Sequence, residues 1–172
     1  MVNQALPDLK SRPPLLVDWL PWHHTFGGNH NTGITLLNGG TLYIDDGRPV
    51  PNGIERTVRN LREISPTIYF NVPKGLEEIA TAMDSDTLLR DTLFKRCKAI
   101  MFAGAALSQP VWDKLHAHAE ATTGQRVRVI DPGFDGVAQV LRCEPEGRYF
   151  ALHGRLITAQ FMQAHGVFVR VK

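Results

Sequence analysis

Thr67-Ile68-Tyr69-Phe70-Asn71-Val72 is the stretch whose reading decides the fold. It is short, β-branched and aromatic, and bounded by Ser65-Pro66 before it and Pro73 after it, which marks a buried strand. On its amino-terminal side Ile54, Val58, Leu61 and Ile64 recur at helical spacing, and Ser65-Pro66 stops that helix. On its carboxyl side Leu76, Ile79, Ala80 and Met83 make a second apolar stripe, followed by a helix over Thr87 to Arg96. Ala99 to Ala103 is the next buried strand. Ser108 is placed to cap a helix with Pro110 in its first turn and Trp112, Leu115 and Ala119 inward. Gly124 ends that helix, and Arg126 to Ile130 is a further strand.

Further out the same logic continues. Leu15 to Leu20 is an apolar run ended by Pro21, and a helix is expected from about Phe26 to Leu37 despite Gly27, Gly28 and Gly33. Asn38-Gly39-Gly40 breaks it before the β-prone Thr41 to Ile44, and Asp45-Asp46-Gly47 is a turn. Strands alternating with helices predict an α/β fold, a Rossmann-like layered parallel sheet with flanking helices. Ligands in such sheets bind beyond the carboxyl ends of the strands, which singles out Pro21 to His30, Asn71 to Gly75 and Ala103 to Ser108. Beyond Ile130 the pattern changes at Asp131-Pro132-Gly133. Val137 to Leu141, Tyr149 to Leu152 and Val167 to Val171 read as short strands, and Thr158 to His165 as a helix. Residues 1–130 and 131–172 are therefore expected to be separate units, the second a divergent tail.

Composition removes several function classes. Hydrophobic residues make up 43% and charged residues 21%, and the formal charge of +2 offers no basic stripe for nucleic acid. No apolar run approaches the ~20 residues needed to cross a bilayer. The amino terminus lacks a basic-then-apolar leader pattern, and two distant cysteines, Cys97 and Cys143, fit a reducing compartment. A cytoplasmic protein with no membrane or nucleic-acid partner is expected.

The stretch Val17-Asp18-Trp19-Leu20-Pro21-Trp22-His23-His24-Thr25-Phe26-Gly27-Gly28-Asn29-His30 resembles the histidine motif of AMP-forming acyl-CoA synthetases, with wording closest to the feruloyl-CoA synthetase branch. Gly39 to Asp45, Ser65 to Pro73 and Phe102 to Ser108 are similar to further blocks of that family, in its order. The likeness runs over residues 3 to 130. It implies a partial AMP-binding and acyl-pocket subdomain. The family joins a carboxylic acid to coenzyme A in two steps. The carboxylate attacks the α-phosphate of ATP to give an acyl-adenylate and pyrophosphate, and the coenzyme A thiolate then displaces AMP. By resemblance His24 is the catalytic histidine beside the acyl carboxylate and adenylate phosphate. Phe26 and His30 line the aryl pocket, and Gly104, Ala105 and Ala106 pass close to adenosine and the aromatic acid. A flat ring slides against backbone only where side chains are absent or tiny. The implied partners are a hydroxycinnamate-like aromatic acid and the adenylate, with ATP, Mg2+ and CoA required by an intact family member.

The chain also departs from the family. The Ser/Thr/Gly-rich phosphate loop, which points backbone N–H groups at phosphate oxygens, is not found in these residues. Thr122-Thr123-Gly124-Gln125-Arg126 imitates it only superficially. Where the family carries a Tyr-Gly-x-Thr-Glu magnesium motif, this chain reads Asp131-Pro132-Gly133-Phe134-Asp135-Gly136. The ribose-binding aspartate and the domain with the catalytic lysine have no counterpart here. A truncated or frameshifted frame has this appearance. The chain alone is expected to be inactive and to bind none of the three cofactors tightly. The alternative is a non-catalytic small-molecule-binding or degenerate remnant. A parallel sheet lacking neighbours also exposes backbone edges and apolar faces, and copies can assemble through those faces.

Other residues receive blander expectations. Near His23, His24 and His30 no carboxylate or thiolate other than Asp18 could complete a ligand set, so no metal site is expected. His116 and His118 are expected to face solvent from different sides of their helix. Tyr43, Tyr69 and Phe70 are expected in the core. Cys97 is expected to be a half-buried structural thiol rather than a reactive one.

Overall fold

The computed structural model describes Leu9, residues 11–130, and the backbone of Tyr149–Leu152 and Arg155–Thr158. The chain divides into two compact units, Met1–Ile130 and Asp131–Lys172.

In the first unit, strand β1 (Leu15–Asp18) leads to a π-helical segment (Phe26–Thr32) that continues as α1 (Gly33–Leu37). Strand β2 (Thr41–Ile44), helix α2 (Ile54–Glu63) and strand β3 (Ile68–Asn71) follow. Then come α3 (Pro73–Ala82), α4 (Thr87–Phe94), β4 (Ala99–Phe102), α5 (Gln109–Thr123) and β5 (Arg128–Ile130). All pairings here are parallel: β1 with β2, and β3 with β4 with β5. The ladder is interrupted between β1 and β3. The two strands are stitched there by Thr67, whose N–H donates to Leu15 O at 2.9 Å while its Oγ1 accepts from Leu15 N–H at 2.9 Å.

The strand order is thus β2, β1, β3, β4, β5, and it reverses direction at β1 and β3. Right-handed crossovers send the connection from β1 to β2 over one face and the later helices over the other. Packing agrees. Val17, Tyr69, Ile100, Phe102 and Val129 form one core cluster with Leu61 of α2, Leu76 and Ile79 of α3, Leu89 and Leu93 of α4, and Leu115 of α5. Leu16, Ile68, Phe70, Ala99 and Met101 form a second cluster, against which Phe26 and Ile34 pack. Alternation along each strand assigns these sets to opposite faces.

Several boundaries differ from the sequence expectation, for local reasons. β1 ends at Asp18 rather than Leu20, because the Asp18 carboxylate takes the Leu20 N–H at 3.0 Å. Ser108 occupies the cap position of α5, but its hydroxyl makes no capping bond. Asp86 does cap α4, accepting from Leu89 N–H at 2.9 Å. Gly124 closes α5 in the left-handed conformation at φ 71°, as a helix-terminating glycine does. Tyr43 is not in the core: β2 is an outer strand, and Tyr43 and Ile44 are 43% and 68% exposed. Leu36 and Leu37 beside it are also exposed.

His116 and His118 are not solvent-facing either. His118 Nε2 lies 3.2 Å from both Ala80 O and Asp84 Oδ1, tying α5 to the end of α3. His116 packs against Trp112 with ring centroids 5.7 Å apart, and burial lowers its pKa from the ordinary 6.5. His118 reaches across to α3, and His116 packs along its own helix on Trp112, which spacing alone does not register. The Cys97 thiol donates to Ala99 O, and burial pushes its pKa up to about 12, so it is not a reactive thiolate.

In the second unit Tyr149–Leu152 and Arg155–Thr158 pair antiparallel as β6 and β7. The first matches an expected strand, and the second extends to Thr158, where a helix was expected to begin. The expected strands Val137 to Leu141 and Val167 to Val171, and the expected helix beyond Thr158, lie outside the described residues.

Candidate functional site at the carboxyl edge of the sheet

The strand order reverses between β1 and β3, and sheets of this kind take ligands beyond the carboxyl ends at such a point. One side-chain hydrogen bond spans those ends. Trp19 Nε1–H donates to Asn71 Oδ1 at 3.2 Å, spanning the two strand ends. Asn71 is fully buried and also accepts from Val72 N–H at 2.8 Å and donates to Tyr69 Oη at 2.9 Å. Gly75 makes room for that amide, since a Cβ there would sit 2.1 Å from Asn71 Oδ1.

The π-helical segment follows the carboxyl end of β1. His30 N–H reaches back to Thr25 O at 3.0 Å, the five-residue step of a π-turn. The expected helix therefore exists, but its first part is wider than an α-helix. Gly27 and Gly28 are steric requirements of this path. A Cβ at Gly28 would lie 2.0 Å from Trp22 O, and one at Gly27 2.6 Å from Leu20 O and Pro21 O.

Three rings meet on the inner side. Phe26 and His30 are 5.6 Å apart, and each meets Phe70 of β3 edge-on, at 6.1 and 5.2 Å. Edge-to-face contacts of this kind contribute about 0.5–1.5 kcal/mol each beyond burial. Phe70 is thus a core residue and the floor on which the predicted Phe26 and His30 rest. His30 is held further: its Nδ1 lies 2.9 Å from Asn31 Oδ1, and Asn31 Nδ2 donates to Asp18 Oδ2 at 2.9 Å. Asn31 and Asp18 are 0% and 3% exposed. Burial raises the Asp18 pKa, opposed by the hydrogen bonds from Asn31 and Leu20.

His24 is exposed on the preceding turn, and its Nδ1 accepts the Phe26 N–H at 3.2 Å. A backbone N–H is always the donor, so Nδ1 carries no proton and Nε2–H is left as a donor. Gly104, Ala105 and Ala106 follow the carboxyl end of β4, the strand next to β3, and all three are exposed. Gly104 has φ 99°, a conformation that side chains disfavour, and a Cβ there would meet nothing within 4 Å. Histidine segment and small-residue segment thus share one edge of the sheet, with β3 between them.

Among the described residues no three His, Cys, Asp or Glu side chains gather to hold a metal. No described helix is long and apolar enough to cross a membrane. The buried polar residues Asp18, Asn31 and Asn71 were not singled out as site residues from sequence. One signal for Asp18 was available: an acid inside the apolar run Leu15 to Leu20.

The AMP-binding enzyme family profile matches residues 5–127. This chain belongs to the AMP-binding enzyme family. As a family member it shares the α/β fold of the amino-terminal part of adenylate-forming enzymes. A malonyl-CoA ligase, solved as a ternary product complex with methylmalonyl-CoA and AMP, superposes with a TM-score of 0.56 at 23% identity over 91% of this chain. An ATP-bound RpMatB-BxBclM chimera superposes with a TM-score of 0.50 at 17% identity over 76% of the chain. The chain spans 32% and 23% of the lengths of these two proteins. A search of curated proteins finds no match.

Proposed function

We propose that residues 1–130 form the acyl pocket and adenosine wall of an AMP-forming aryl-CoA ligase of the feruloyl-CoA synthetase kind. The observation that carries this reading is the shared carboxyl edge of β1, β3 and β4, from which the histidine segment and the Gly104 to Ala106 segment both project.

In the proposed arrangement the ring of a hydroxycinnamate-like acid lies against Phe26 and His30, above Phe70. The His24 Nε2–H donates to the acyl carboxylate or the α-phosphate, where negative charge sits before and during attack. Gly104, Ala105 and Ala106 let the adenine and aryl planes approach backbone closely. The chemistry supported is attack of the carboxylate oxygen on the α-phosphorus, with the P–O bond to pyrophosphate breaking. The thioester then forms when coenzyme A sulfur attacks the acyl carbon and AMP leaves.

ATP, Mg2+ and CoA belong to this reaction in an intact enzyme. The 172 residues contain no phosphate loop and no magnesium motif. Positioning and charge neutralisation carry phosphoryl chemistry, so we expect these residues alone to bind the aromatic acid weakly and not to adenylate it.

Calorimetric titration with ferulate and with AMP tests the pocket, and pyrophosphate exchange tests the chemistry. Heat of binding at about millimolar ferulate without exchange is expected. The absence of heat with both ligands would remove the pocket assignment. Exchange by the purified chain would overturn the expected inactivity.

A further inference from the structure

We infer that Asp18 and Asn31 are positioning residues that fix the His30 ring as its Nδ1–H tautomer, so that His30 Nε2 meets a ligand as a hydrogen-bond acceptor.

The argument starts from a donor of known direction. Leu20 N–H can only donate, and it donates to Asp18 Oδ1. Asp18 Oδ2 is left to face the Asn31 amide across 2.9 Å. A carboxylate oxygen accepts, so Asn31 turns its Nδ2 toward Asp18 and its Oδ1 toward His30. That oxygen also only accepts, so the proton of the neutral imidazole must sit on His30 Nδ1, 2.9 Å away. Nε2 then carries a lone pair. Asp18 and Asn31 are buried at 3% and 0% exposure, so water does not scramble the orientation of either group. The ring is also held by Phe26 and Phe70 on its flanks, and rotation would break the Asn31 contact.

His24 has the opposite arrangement, with Nδ1 accepting and Nε2–H donating. The two histidines of one segment therefore offer unlike atoms, a donor at His24 and an acceptor at His30. Resting on the proposed function, this gives the specificity of the aryl pocket. A donor on the ligand ring, such as a phenolic hydroxyl, satisfies His30 Nε2, and an ether or an unsubstituted ring does not. A site built to bond a hydroxyl discriminates against the analogue that lacks it.

The substitution D18N tests the relay with almost no change of shape. Leu20 N–H still requires an oxygen, so the new amide at position 18 must turn its NH2 toward Asn31. The Asn31 amide then flips, offering Oδ1 to position 18 and Nδ2 to His30. His30 Nδ1 must now accept, and the ring proton moves through solvent from Nδ1 to Nε2. Long-range 1H–15N correlation spectra of the labelled full chain, recorded on the alkaline side of the ordinary histidine range, read the proton position directly. His30→Gln identifies the signals by their loss.

The expected result is Nδ1–H in the native chain and Nε2–H in D18N. An Nε2–H signal in the native chain overturns the inference, as does a D18N spectrum identical to the native one. Should D18N fail to fold, Asn31→Leu serves instead, with loss of the Nδ1–H signal expected and its persistence contradicting the relay. None of these readouts requires a ligand, so they stand or fall separately from the aryl-CoA ligase reading. The ligand arm then compares a 4-hydroxycinnamate with its methyl ether. About tenfold weaker binding of the ether is expected in the native chain and a lost or reversed preference in D18N. Equal binding of both acids by a native chain of confirmed tautomer would leave His30 fixed but remove its role in selecting a ring donor.

Discussion

The two faces of the sheet do different work. On one, Val17, Tyr69, Ile100, Phe102 and Val129 are sealed in one apolar cluster under α2, α3, α4 and α5. On the other, Leu16, Ile68, Phe70, Ala99 and Met101 meet the π-helical segment, and at its carboxyl end that packing gives way to rings, amides and a buried acid. The difference follows from topology. Connections from β3 onward step in one direction and deposit their helices on one side, whereas the connection from β1 to β2 steps the other way. Stability is expected to concentrate where helices accumulate, and the proposed chemistry lies at the strand pair where the direction reverses.

Mutations on the two faces should separate these properties. The largest stability loss is expected from Leu93→Ala, a fully buried side chain under the helical layer. About 2–5 kcal/mol should disappear from the unfolding free energy in a denaturant titration. A loss below about 1 kcal/mol would mean that this face is not the principal core. Gly28→Ala comes next, because its Cβ must displace the Trp22 backbone from 2.0 Å. A cost of about 1–3 kcal/mol is expected, together with loss of the Phe26–Phe70 contact, read from ring-proton shifts.

Phe26→Ala sharpens the contrast from the other side. Its ring is only partly buried, so the stability cost should fall below that of Leu93→Ala, while ferulate affinity drops at least tenfold by calorimetry. Equal effects on both quantities would erase the division of labour. The smallest effect concerns His116 on the helical face. Burial first, and Arg126 second, hold its folded pKa below 6.5, so its contribution to stability is present above that value. It is lost as pH falls through the lowered folded value. His116→Gln should flatten that acid-side decline in melting temperature, and an unchanged decline would show that other groups cause it.

Much of the helical face was legible from residue spacing. The stripes Ile54-Val58-Leu61 and Leu76-Ile79-Ala80-Met83 became α2 and α3, and Thr67 to Val72 became β3 within one residue at each end. Apolar periodicity records burial, and burial dominates there. The site was legible only as segments. His24, Phe26 and His30 came from a family resemblance, and spacing marked their loop as one following a strand. The relay through Asn31 and Asp18 was not readable, because it joins residues 13 apart through a π-turn whose geometry no periodicity encodes. Nor was the burial of His118, whose partners are Ala80 of α3 and Asp84 just beyond it. The exposure of Tyr43 escaped because strand composition does not reveal whether a strand is central or outermost.

The most direct test of the central claim is an amide-shift map of the 15N-labelled chain titrated with ferulate. The account predicts changes confined to residues 18–31, 69–75 and 102–108, the three segments at the carboxyl edge. Shifts centred on α2 to α5 away from that edge, or none at saturating ligand, would contradict it.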